Sequence, residues 1–505
     1  MRLELANITK RFPGVVANDD VSLSVSSGEV LSLIGENGAG KSTLMNILYG
    51  MYRPDSGGIR IDGSTVTFTS AADAIEAGIG MVHQHFMLVP VFTVAENVVL
   101  GVEPTGRLGS LDIAKARSMV KEISDKYKLD LDPDARIEDL PVGIQQRVEI
   151  VKVLLRDAKI VVFDEPTAVL TPSEIGEFFG IVKSLKDSGR GVVFITHKLK
   201  EALAIADRIA VLRRGKVVGE VAPHNANEST IAEMMVGRPV QLVVDKKTAS
   251  PGAAVLSVND LTVMDPDGRV VVDGISFAVH AGEVVGIAGV QGNGQTELVE
   301  TLTGLRDAHA GAVRLGEFDI SDASPRARHR MGMAHIPEDR QRQGLVTGMT
   351  VAQNLVLTRY HSEEFSKGMQ VNWDTVSTKA SELVAEYDIR TSGVDVEAST
   401  LSGGNQQKVI VARELSRDLK LAIASQPTRG VDVGSIEYIH SQIIAERDAG
   451  TAVLIVSTEL DEVMALADRV LVMYRGAIVA EVDPKQVSAL DIGLYMAGSK
   501  PAGAA

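Results

Sequence analysis

The chain has 505 residues with 45% hydrophobic and 23% charged residues, an ordinary globular composition, and its length predicts roughly two to four domains. It contains no cysteine, which excludes disulfides, thiol catalysis and cysteine-based zinc sites. The net charge of −15 argues against a nucleic-acid-binding protein, because such proteins usually present a basic surface. We expect a cytosolic protein, since no apolar run approaches the ~20 residues of a membrane helix and the first residues lack a signal-peptide core.

Two long segments of the chain match each other. NDDVSLSVSSGEVLSLIGENGAG, from Asn18, is similar to VDGISFAVHAGEVVGIAGVQGNG, from Val272, and further matches follow in the same order. This pattern predicts two copies of one domain, residues 1–239 and residues 254–496. The short polar stretch between them, residues 240–253, contains a Pro-Gly pair and is predicted to be a linker.

Each copy is predicted to be an α/β domain. Val30–Ile34 and Ile160–Phe163 are short apolar runs typical of buried parallel strands, and the second copy contains similar runs. Stretches with helical spacing, such as SEIGEFFGIVKSLKDSG, end in glycine. The pattern predicts an open sheet whose ligands lie at the carboxyl ends of the strands. Trp373, the only tryptophan, is predicted to pack inside the helical region of the second copy.

A phosphate-binding loop follows the first predicted strand of the first copy. Its sequence, GENGAGKST, lets the backbone curl so that several N–H groups and the start of a helix face a phosphate. Lys41 can reach the β- and γ-phosphates of a nucleotide, and the Ser42 hydroxyl can bind Mg²⁺. The candidate ATP-binding residues of this loop are Gly35, Glu36, Asn37, Gly38, Ala39, Gly40, Lys41, Ser42 and Thr43.

The second copy carries an altered version of this loop, GVQGNGQTE. Gln295 replaces the lysine, so the loop keeps its N–H groups but loses a fixed positive charge that stabilises phosphoryl transfer. Thr296 can still bind Mg²⁺. The candidate residues of this degenerate site are Gly289, Gly292, Gly294, Gln295, Thr296 and, from a later strand, Gln426.

An acidic pair ends a later strand of the first copy. Asp164 is predicted to hold Mg²⁺ through water, and Glu165 is predicted to polarise the attacking water as a general base, an effect typically worth ~10²–10⁴ in rate. In the second copy the matching residues are Ser425 and Gln426, neither of which can act as a base. The loss of the lysine and both carboxylates from one copy predicts a site that does not hydrolyse.

The segment LSGGNQQK, Leu401–Lys408, is the signature motif of ATP-binding cassette proteins, and nearly the whole chain resembles that family. The resemblance implies two tandem α/β cassettes, each with a RecA-like, mostly parallel sheet, an antiparallel β part and a helical subdomain. It also implies that the cassettes pack head to tail, with each ATP between the phosphate loop of one and the signature motif of the other. The signature residues implied to contact ATP are Ser402, Gly403, Gly404 and Asn405.

The first copy has a degraded signature motif, LPVGIQQR. Pro141 replaces the serine and removes a hydroxyl and a backbone N–H, and Val142 replaces the first glycine. Asp432 fits the Asp-loop of the family, where the first copy has Thr171. The signature departures therefore lie in the first copy, whereas the phosphate-loop departures lie in the second.

Further family landmarks are intact in the first copy. By resemblance, Gln84 senses Mg²⁺ and the attacking water, His197 lies at the γ-phosphate, and Phe12 stacks on adenine. The second copy has no aromatic residue near Val263, and its counterparts of Gln84 and His197 are Glu338 and Thr458.

All departures fall into one of the two composite sites that the resemblance implies. We therefore predict one site that hydrolyses ATP with Mg²⁺ and one degenerate site that binds nucleotide as a clamp. The predicted catalytic residues are Lys41, Gln84, Glu165 and His197. The predicted Mg²⁺ ligands are Ser42, Gln84 and Asp164.

Two fused cassettes without a membrane segment resemble the ATPase subunit of bacterial importers of simple sugars and nucleosides. The resemblance implies two membrane permeases and an external binding lipoprotein as partners, no nucleic acid, and a peripheral position on the cytoplasmic face of the membrane. Residues 86–102 either dock the permeases or pack within the helical subdomain, and both roles stay open. The alternatives are a soluble two-cassette ATPase acting on ribosomes or nucleic acid, and a regulator that barely hydrolyses.

Overall fold

The computed structural model describes residues 1–83, 86–106, 110–167, 170, 172–239, 244, 246–368 and 370–499, with the side chains of residues 172 and 173 left out. The chain divides into two compact units, Met1–Val240 and Gln241–Ala505. Because several residues of the predicted linker lie outside the described residues, the domain limits stay a prediction.

The first unit combines two sheets with helices. Its strands, in chain order, are β1 (Arg2–Phe12), β2 (Val15–Ser26), β3 (Val30–Ile34), β4 (Ser56–Ile61), β5 (Ser64–Val66), β6 (Ile79–Val82), β7 (Ile160–Asp164), β8 (Gly191–Thr196), β9 (Arg208–Arg213) and β10 (Lys216–Val221). Its α-helices are α1 (Lys41–Leu48), α2 (Ala71–Glu76), α3 (Val94–Val99), α4 (Ile113–Tyr127), α5 (Val142–Leu155), α6 (Pro172–Asp187), α7 (Leu199–Ile205) and α8 (Glu228–Val236). Short 3-10 turns cover Ile137–Asp139 and Pro223–Asn225.

The larger sheet of the first unit has the strand order β10-β9-β3-β8-β7-β6 and is parallel except for β10. Every residue of β3 is buried, as expected for a central parallel strand covered on both faces. The smaller sheet is antiparallel, with the order β2-β1-β4-β5. One apolar core lies between this sheet, the larger sheet and α1, and another joins the larger sheet to α3, α4 and α5.

The second unit has the same plan. Its strands are β11 (Ala254–Met264), β12 (Val270–His280), β13 (Val284–Ala288), β14 (Ala310–Leu315), β15 (Phe318–Asp319), β16 (Met333–Ile336), β17 (Ser366–Lys367), β18 (Gln370–Val371), β19 (Leu421–Ser425), β20 (Ala452–Ser457), β21 (Arg469–Tyr474) and β22 (Ala477–Val482). Its α-helices are α9 (Gln295–Thr303), α10 (Pro325–Arg330), α11 (Val351–Val356), α12 (Trp373–Glu386), α13 (Gly403–Leu415), α14 (Val433–Asp448), α15 (Leu460–Leu466) and α16 (Ala489–Met496). A π-helical turn covers Arg340–Gly344, and a 3-10 turn covers Ala398–Thr400.

The sheets of the second unit repeat those of the first, with the orders β16-β19-β20-β13-β21-β22 and β12-β11-β14-β15, and a small ribbon pairs β17 with β18. The predicted α/β architecture, with its mostly parallel sheet, antiparallel part and helical subdomain, is therefore confirmed in each unit. The prediction for Trp373 is wrong. This residue begins α12 directly after the capping residue Asn372, and its side chain is 55% exposed because the first turn of that helix faces solvent.

Candidate functional site

The phosphate loop of the first unit connects the end of β3 to the start of α1. Close backbone contacts require glycine at two of its positions: a Cβ at Gly35 would lie 2.3 Å from the Leu212 carbonyl oxygen, and one at Gly40 would lie 2.1 Å from that of Ala17. Gly40 also has a φ of 104°, in the left-handed region. The loop is thus held between two neighbouring backbone segments, and its N–H groups lead into the start of the helix.

Lys41 begins α1, and its side chain is buried. Its Nζ donates hydrogen bonds to the carbonyl oxygens of Gly35 at 2.7 Å and of Glu36 at 3.1 Å. Burial lowers the pKa of Lys41 below its ordinary value, although the charges of Glu165, Asp164 and Glu36 act in the opposite direction. The Lys41 ammonium is therefore hydrogen-bonded to the loop carbonyls. It is also close enough to Asp164 and Glu165 for their charges to affect its pKa.

The acidic pair lies at the carboxyl end of β7. Asp164 ends the strand, and Glu165 follows with a φ of 47°, in the left-handed region that a non-glycine residue rarely adopts. A backbone hydrogen bond from Glu165 N to the Ile195 carbonyl oxygen at 3.0 Å ties this turn to β8. His197, just beyond β8, places Nδ1 3.1 Å from Glu165 Oε1. Strained backbone of this kind is common at functional sites.

The two carboxylates differ in acidity. Burial raises the pKa of Asp164, the charge of Glu165 adds to this rise, and Lys41 opposes it. Burial also acts to raise the pKa of Glu165, but the hydrogen bond and charge of His197, together with the charge of Lys41, outweigh it and leave the pKa lowered. Glu165 is consequently kept ionised at neutral pH, as a general base must be.

A buried carboxylate behind the site was missed by the sequence predictions. Glu201 Oε2 accepts hydrogen bonds from the hydroxyls of Thr167 at 2.6 Å and Thr196 at 3.1 Å, and so connects the ends of β7 and β8. The second unit has the same bond from Thr428 to Glu462 at 2.6 Å. The only sequence signal was a glutamate at the same place in both copies, in LKEAL and LDEVM.

The phosphate loop of the second unit has the same backbone conformation as that of the first unit at its last glycine. Gly294 has a φ of 98°, and a Cβ there would lie 2.2 Å from the Val271 carbonyl oxygen, as at Gly40. Gln295 is buried, and within the described residues its Nε2 has no hydrogen-bond partner. The Thr296 hydroxyl donates to Glu338 Oε2 at 3.2 Å. The glutamine thus occupies the position of the lysine without its charge.

The end of β19 repeats the turn after β7 with neutral groups. Gln426 has a φ of 47°, the same as Glu165, and its N donates to the Val456 carbonyl oxygen at 2.7 Å. Its Oε1 accepts hydrogen bonds from Thr458 N and Oγ1, each at 3.2 Å. The acid–histidine pair of the first unit is therefore replaced by an amide–hydroxyl pair that cannot take a proton from water.

The two signature segments differ at the starts of their helices. Ser402 caps α13, since its hydroxyl oxygen accepts a hydrogen bond from the backbone N of Asn405 at 3.5 Å, and it also accepts one from Asn405 Nδ2 at 2.9 Å. Gly403 and Gly404 follow in the first turn. At the same place before α5, Pro141 provides no side-chain cap. The first-unit segment has therefore lost the serine hydroxyl, the backbone N–H of that residue and the first of the two glycines, while Gly143 keeps the second.

Phe12 ends β1 with its ring 37% exposed, in an edge-on contact with Tyr52 at a centroid distance of 5.7 Å. An exposed ring face of this kind is available for stacking on a base. In the second unit, the strand that matches β1 is followed by Asp265, whose carboxylate accepts hydrogen bonds from two backbone N–H groups of its own turn. Two predicted landmarks, Gln84 and Thr171, lie outside the described residues.

The donor set of the first unit fits Mg²⁺. Ser42 is exposed at the start of α1, and Asp164 lies at the end of β7, close enough for its charge to act on Lys41. Oxygen ligands of this kind, completed by phosphate and water, are those that Mg²⁺ prefers. Within the described residues, no cluster of three histidine or acidic side chains forms a metal site of its own.

A family model described as "ABC transporter" matches residues 18–168 and residues 272–429 of this chain. The chain belongs to the ABC transporter family. Its two units are accordingly ABC cassettes, and the protein is an ATP-binding ATPase. None of the described helices of this ABC protein is long and apolar enough to cross a membrane.

Several relatives resemble this ABC protein over nearly its whole length. The nucleoside import ATP-binding protein NupA of Lactococcus lactis subsp. cremoris is 47% identical, covering 98% of both chains. The guanosine import ATP-binding protein NupO of Bacillus subtilis is 48% identical, covering 98% of this chain and 97% of its own. Among solved structures, an archaeal ribosome recycling factor bound to a stalk protein aligns with a TM-score of 0.62 over 97% of this chain and 92% of its own. Because the two sequences are only 21% identical, this match shows that the two proteins share a fold and nothing about function.

Proposed function

We propose that this ABC protein is the ATP-hydrolysing subunit of a nucleoside importer. The observation that carries this proposal is the 47–48% identity to nucleoside and guanosine import ATP-binding proteins over the whole chain. A glucose import ATP-binding protein of Haloferax volcanii is 44% identical, and a ribose import ATP-binding protein of Rubrobacter xylanophilus is 41% identical. Simple sugars are therefore the second candidate cargo.

Hydrolysis takes place at the first cassette in this proposal. Lys41 leaves the loop carbonyls to bind the β- and γ-phosphates, and Glu165 accepts a proton from the attacking water. His197 holds the Glu165 carboxylate and contacts the γ-phosphate. Ser42, Gln84 and Asp164 are the residues that would hold Mg²⁺ in this proposal, and the ion would neutralise phosphate charge.

The second cassette supplies the rest of the hydrolysing site in the arrangement typical of the family. Its signature residues contribute a hydroxyl and bare backbone N–H groups to the γ-phosphate. Its own cradle binds nucleotide without hydrolysing it, because Gln426 cannot act as a base and Gln295 carries no charge. The signature residues in this role are Ser402, Gly403, Gly404 and Asn405.

The proposed partners of the chain are two membrane permeases and an external substrate-binding lipoprotein. The proposed location of the chain is the cytoplasmic face of the membrane. The segment after Gln84 supports docking to a permease. Met87 and Val91 are 64% and 62% exposed, whereas Leu88 between them packs against the core of the helical subdomain. The buried Leu88 supports the internal-packing role of this segment, and the exposed Met87 and Val91 support its use as an apolar contact surface.

The proposal is tested by uptake of radiolabelled nucleosides into cells that express this chain with its candidate permeases. We expect uptake of nucleosides, no competition by ribose or glucose, and loss of uptake for Glu165→Gln. The chain should also co-purify with the permeases, and Met87→Asp should weaken this association. Competition by sugars would favour the second cargo, and co-purification with ribosomes instead of permeases would contradict an importer.

A further inference from the structure

The segment that precedes the first strand of the second cassette is attached to that cassette at several points. Val244 packs against its apolar core. Lys246 Nζ donates hydrogen bonds to the carbonyl oxygens of Leu466 at 3.0 Å and of Ala467 at 2.7 Å, at the carboxyl end of α15. The carbonyls at the end of a helix carry the negative end of its dipole, so they favour a cation such as the lysine ammonium.

Two buried charged side chains complete this attachment. Asp468 Oδ1 lies 3.6 Å from Lys246 Nζ, and the side chains of the lysine and the aspartate are only 14% and 12% exposed. Burial lowers the pKa of Lys246, and the charge of Asp468 opposes this shift. Arg447 donates from Nη1 to Asp468 Oδ1 at 3.0 Å and from Nη2 to the carbonyl oxygen of Lys247 at 2.9 Å. These charges are therefore paired away from water, unlike those of an exposed ion pair.

The attachment continues to the start of the antiparallel sheet. Gly252 N donates a hydrogen bond to the carbonyl oxygen of Ala281 at 2.9 Å, and Ala281 N donates one to the carbonyl oxygen of Ala253 at 3.0 Å. We call residues 244 and 246–252 the strap. The strap is thus held near both of its ends, by Val244 and Lys246 at one end and by Gly252 at the other.

The composition of the strap is that of a flexible connection. Its sequence from Lys246 is KKTASPG, and the side chains of Lys247 and Thr248 are exposed. Polar segments of this kind behave as tethers unless specific contacts hold them. The attachment also changes the length of the connection, because Val244 follows Pro239 of the first cassette by 5 residues and Gly252 follows it by 13.

We propose that the strap keeps the connection between the two cassettes short and so holds the two parts of the hydrolysing site at a high effective concentration. The proposal rests on the proposed function, in which the second cassette supplies the signature motif to that site. The effective concentration of tethered partners falls roughly as the −3/2 power of tether length. Release of the strap, which lengthens the connection from 5 to 13 residues, should therefore lower it about fourfold.

The first test asks whether Lys246 holds the strap. Lys246→Glu places a carboxylate against Asp468 and the end of α15, so we expect it to release the strap. Lys247→Glu is the matched control, because it makes the same change of charge at an exposed side chain while Arg447 still binds the backbone carbonyl. Since the chain contains no cysteine, Thr248→Cys provides a single position for a spin label.

We expect the label to be restricted in the otherwise wild-type chain and in the control, and mobile with Lys246→Glu. A label that is equally restricted with Lys246→Glu would overturn the role of Lys246.

The second test measures ATP turnover and melting temperature of the full chain. We expect Lys246→Glu to lower kcat/KM for ATP about fourfold, because closure of the cassettes then costs more entropy, and Lys247→Glu to behave as the wild type. An insertion of about eight Gly and Ser residues after Pro239 lengthens the connection by the same amount while the strap stays attached. It should lower kcat/KM by the same factor, with the melting temperature unchanged.

The insertion separates a tether from a merely structural strap. A structural strap would lower the melting temperature in Lys246→Glu and leave the insertion variant with the kcat/KM of the wild type, and that result would overturn the proposal. Glu165→Gln measured alongside distinguishes this failure from that of the proposed function, which fails if Glu165→Gln still turns over.

Discussion

The ends of β7 and β19 have the same backbone and different side chains. Glu165 and Gln426 both have a φ of 47° and donate their backbone N–H to the neighbouring strand. Glu165 then faces His197, whereas Gln426 faces Thr458. The comparison teaches that the turn belongs to the fold and the chemistry to its side chains. A neutral pair fills the second turn with hydrogen bonds of its own, so the second cassette forms this turn without a general base.

Substitutions at the lysine position of the phosphate loop should show the largest difference in kcat between the two cassettes. We expect Lys41→Gln, which gives the first cradle the residue of the second, to lower kcat for ATP roughly 10²–10³-fold, because a preorganised charge on the transferred phosphate is lost. The reciprocal Gln295→Lys should stay within about twofold of the wild type, since Gln426 still provides no base. Steady-state turnover at saturating ATP checks both variants, and an equal loss in the two would remove the contrast.

The histidine pair sharpens the comparison through pH. His197→Ala should lower kcat by roughly 10²-fold. It also removes the main influence that lowers the pKa of Glu165 while the burial that raises it remains, so the pKa rises. The base is then protonated at a higher pH, and the acid limb of the pH–rate profile moves to higher pH.

Thr458→Ala is the matched change in the second cassette, and we expect its profile to overlie that of the wild type. An acid limb that does not move in His197→Ala would show that Glu165 is not the titrating base.

The signature segments should give the smallest effect on turnover. Ser402→Asp keeps a good helix cap but places a carboxylate where we propose the γ-phosphate, so kcat should fall about tenfold or more with the melting temperature nearly unchanged. Pro141→Ser should add a cap to α5 worth about 1 kcal/mol of stability without changing kcat. Thermal unfolding and turnover measured on both variants separate capping from phosphate binding, and a rise in kcat for Pro141→Ser would contradict the assignment.

Local spacing predicted much of the fold and of the candidate site. The phosphate loop, the strand that ends in Asp164 and the start of α13 depend on residues close in sequence, and the structure has them as expected. Glu201 and the bond between Glu338 and Arg429 were missed, because such contacts join residues far apart in the chain, 91 residues in the latter case. The prediction that Trp373 is packed inside the helical region was wrong, because a large apolar residue at the start of a helix can face solvent.

The central claim is that only the first cassette hydrolyses, and the most direct test compares Glu165→Gln with Gln426→Ala in the purified full chain. Turnover and the nucleotide that each protein retains are measured together. The account predicts that Glu165→Gln holds ATP unhydrolysed with turnover reduced ~10²–10⁴-fold, and that Gln426→Ala turns over as the wild type does. Turnover of Glu165→Gln near the wild-type rate, or its loss in Gln426→Ala, would contradict the account.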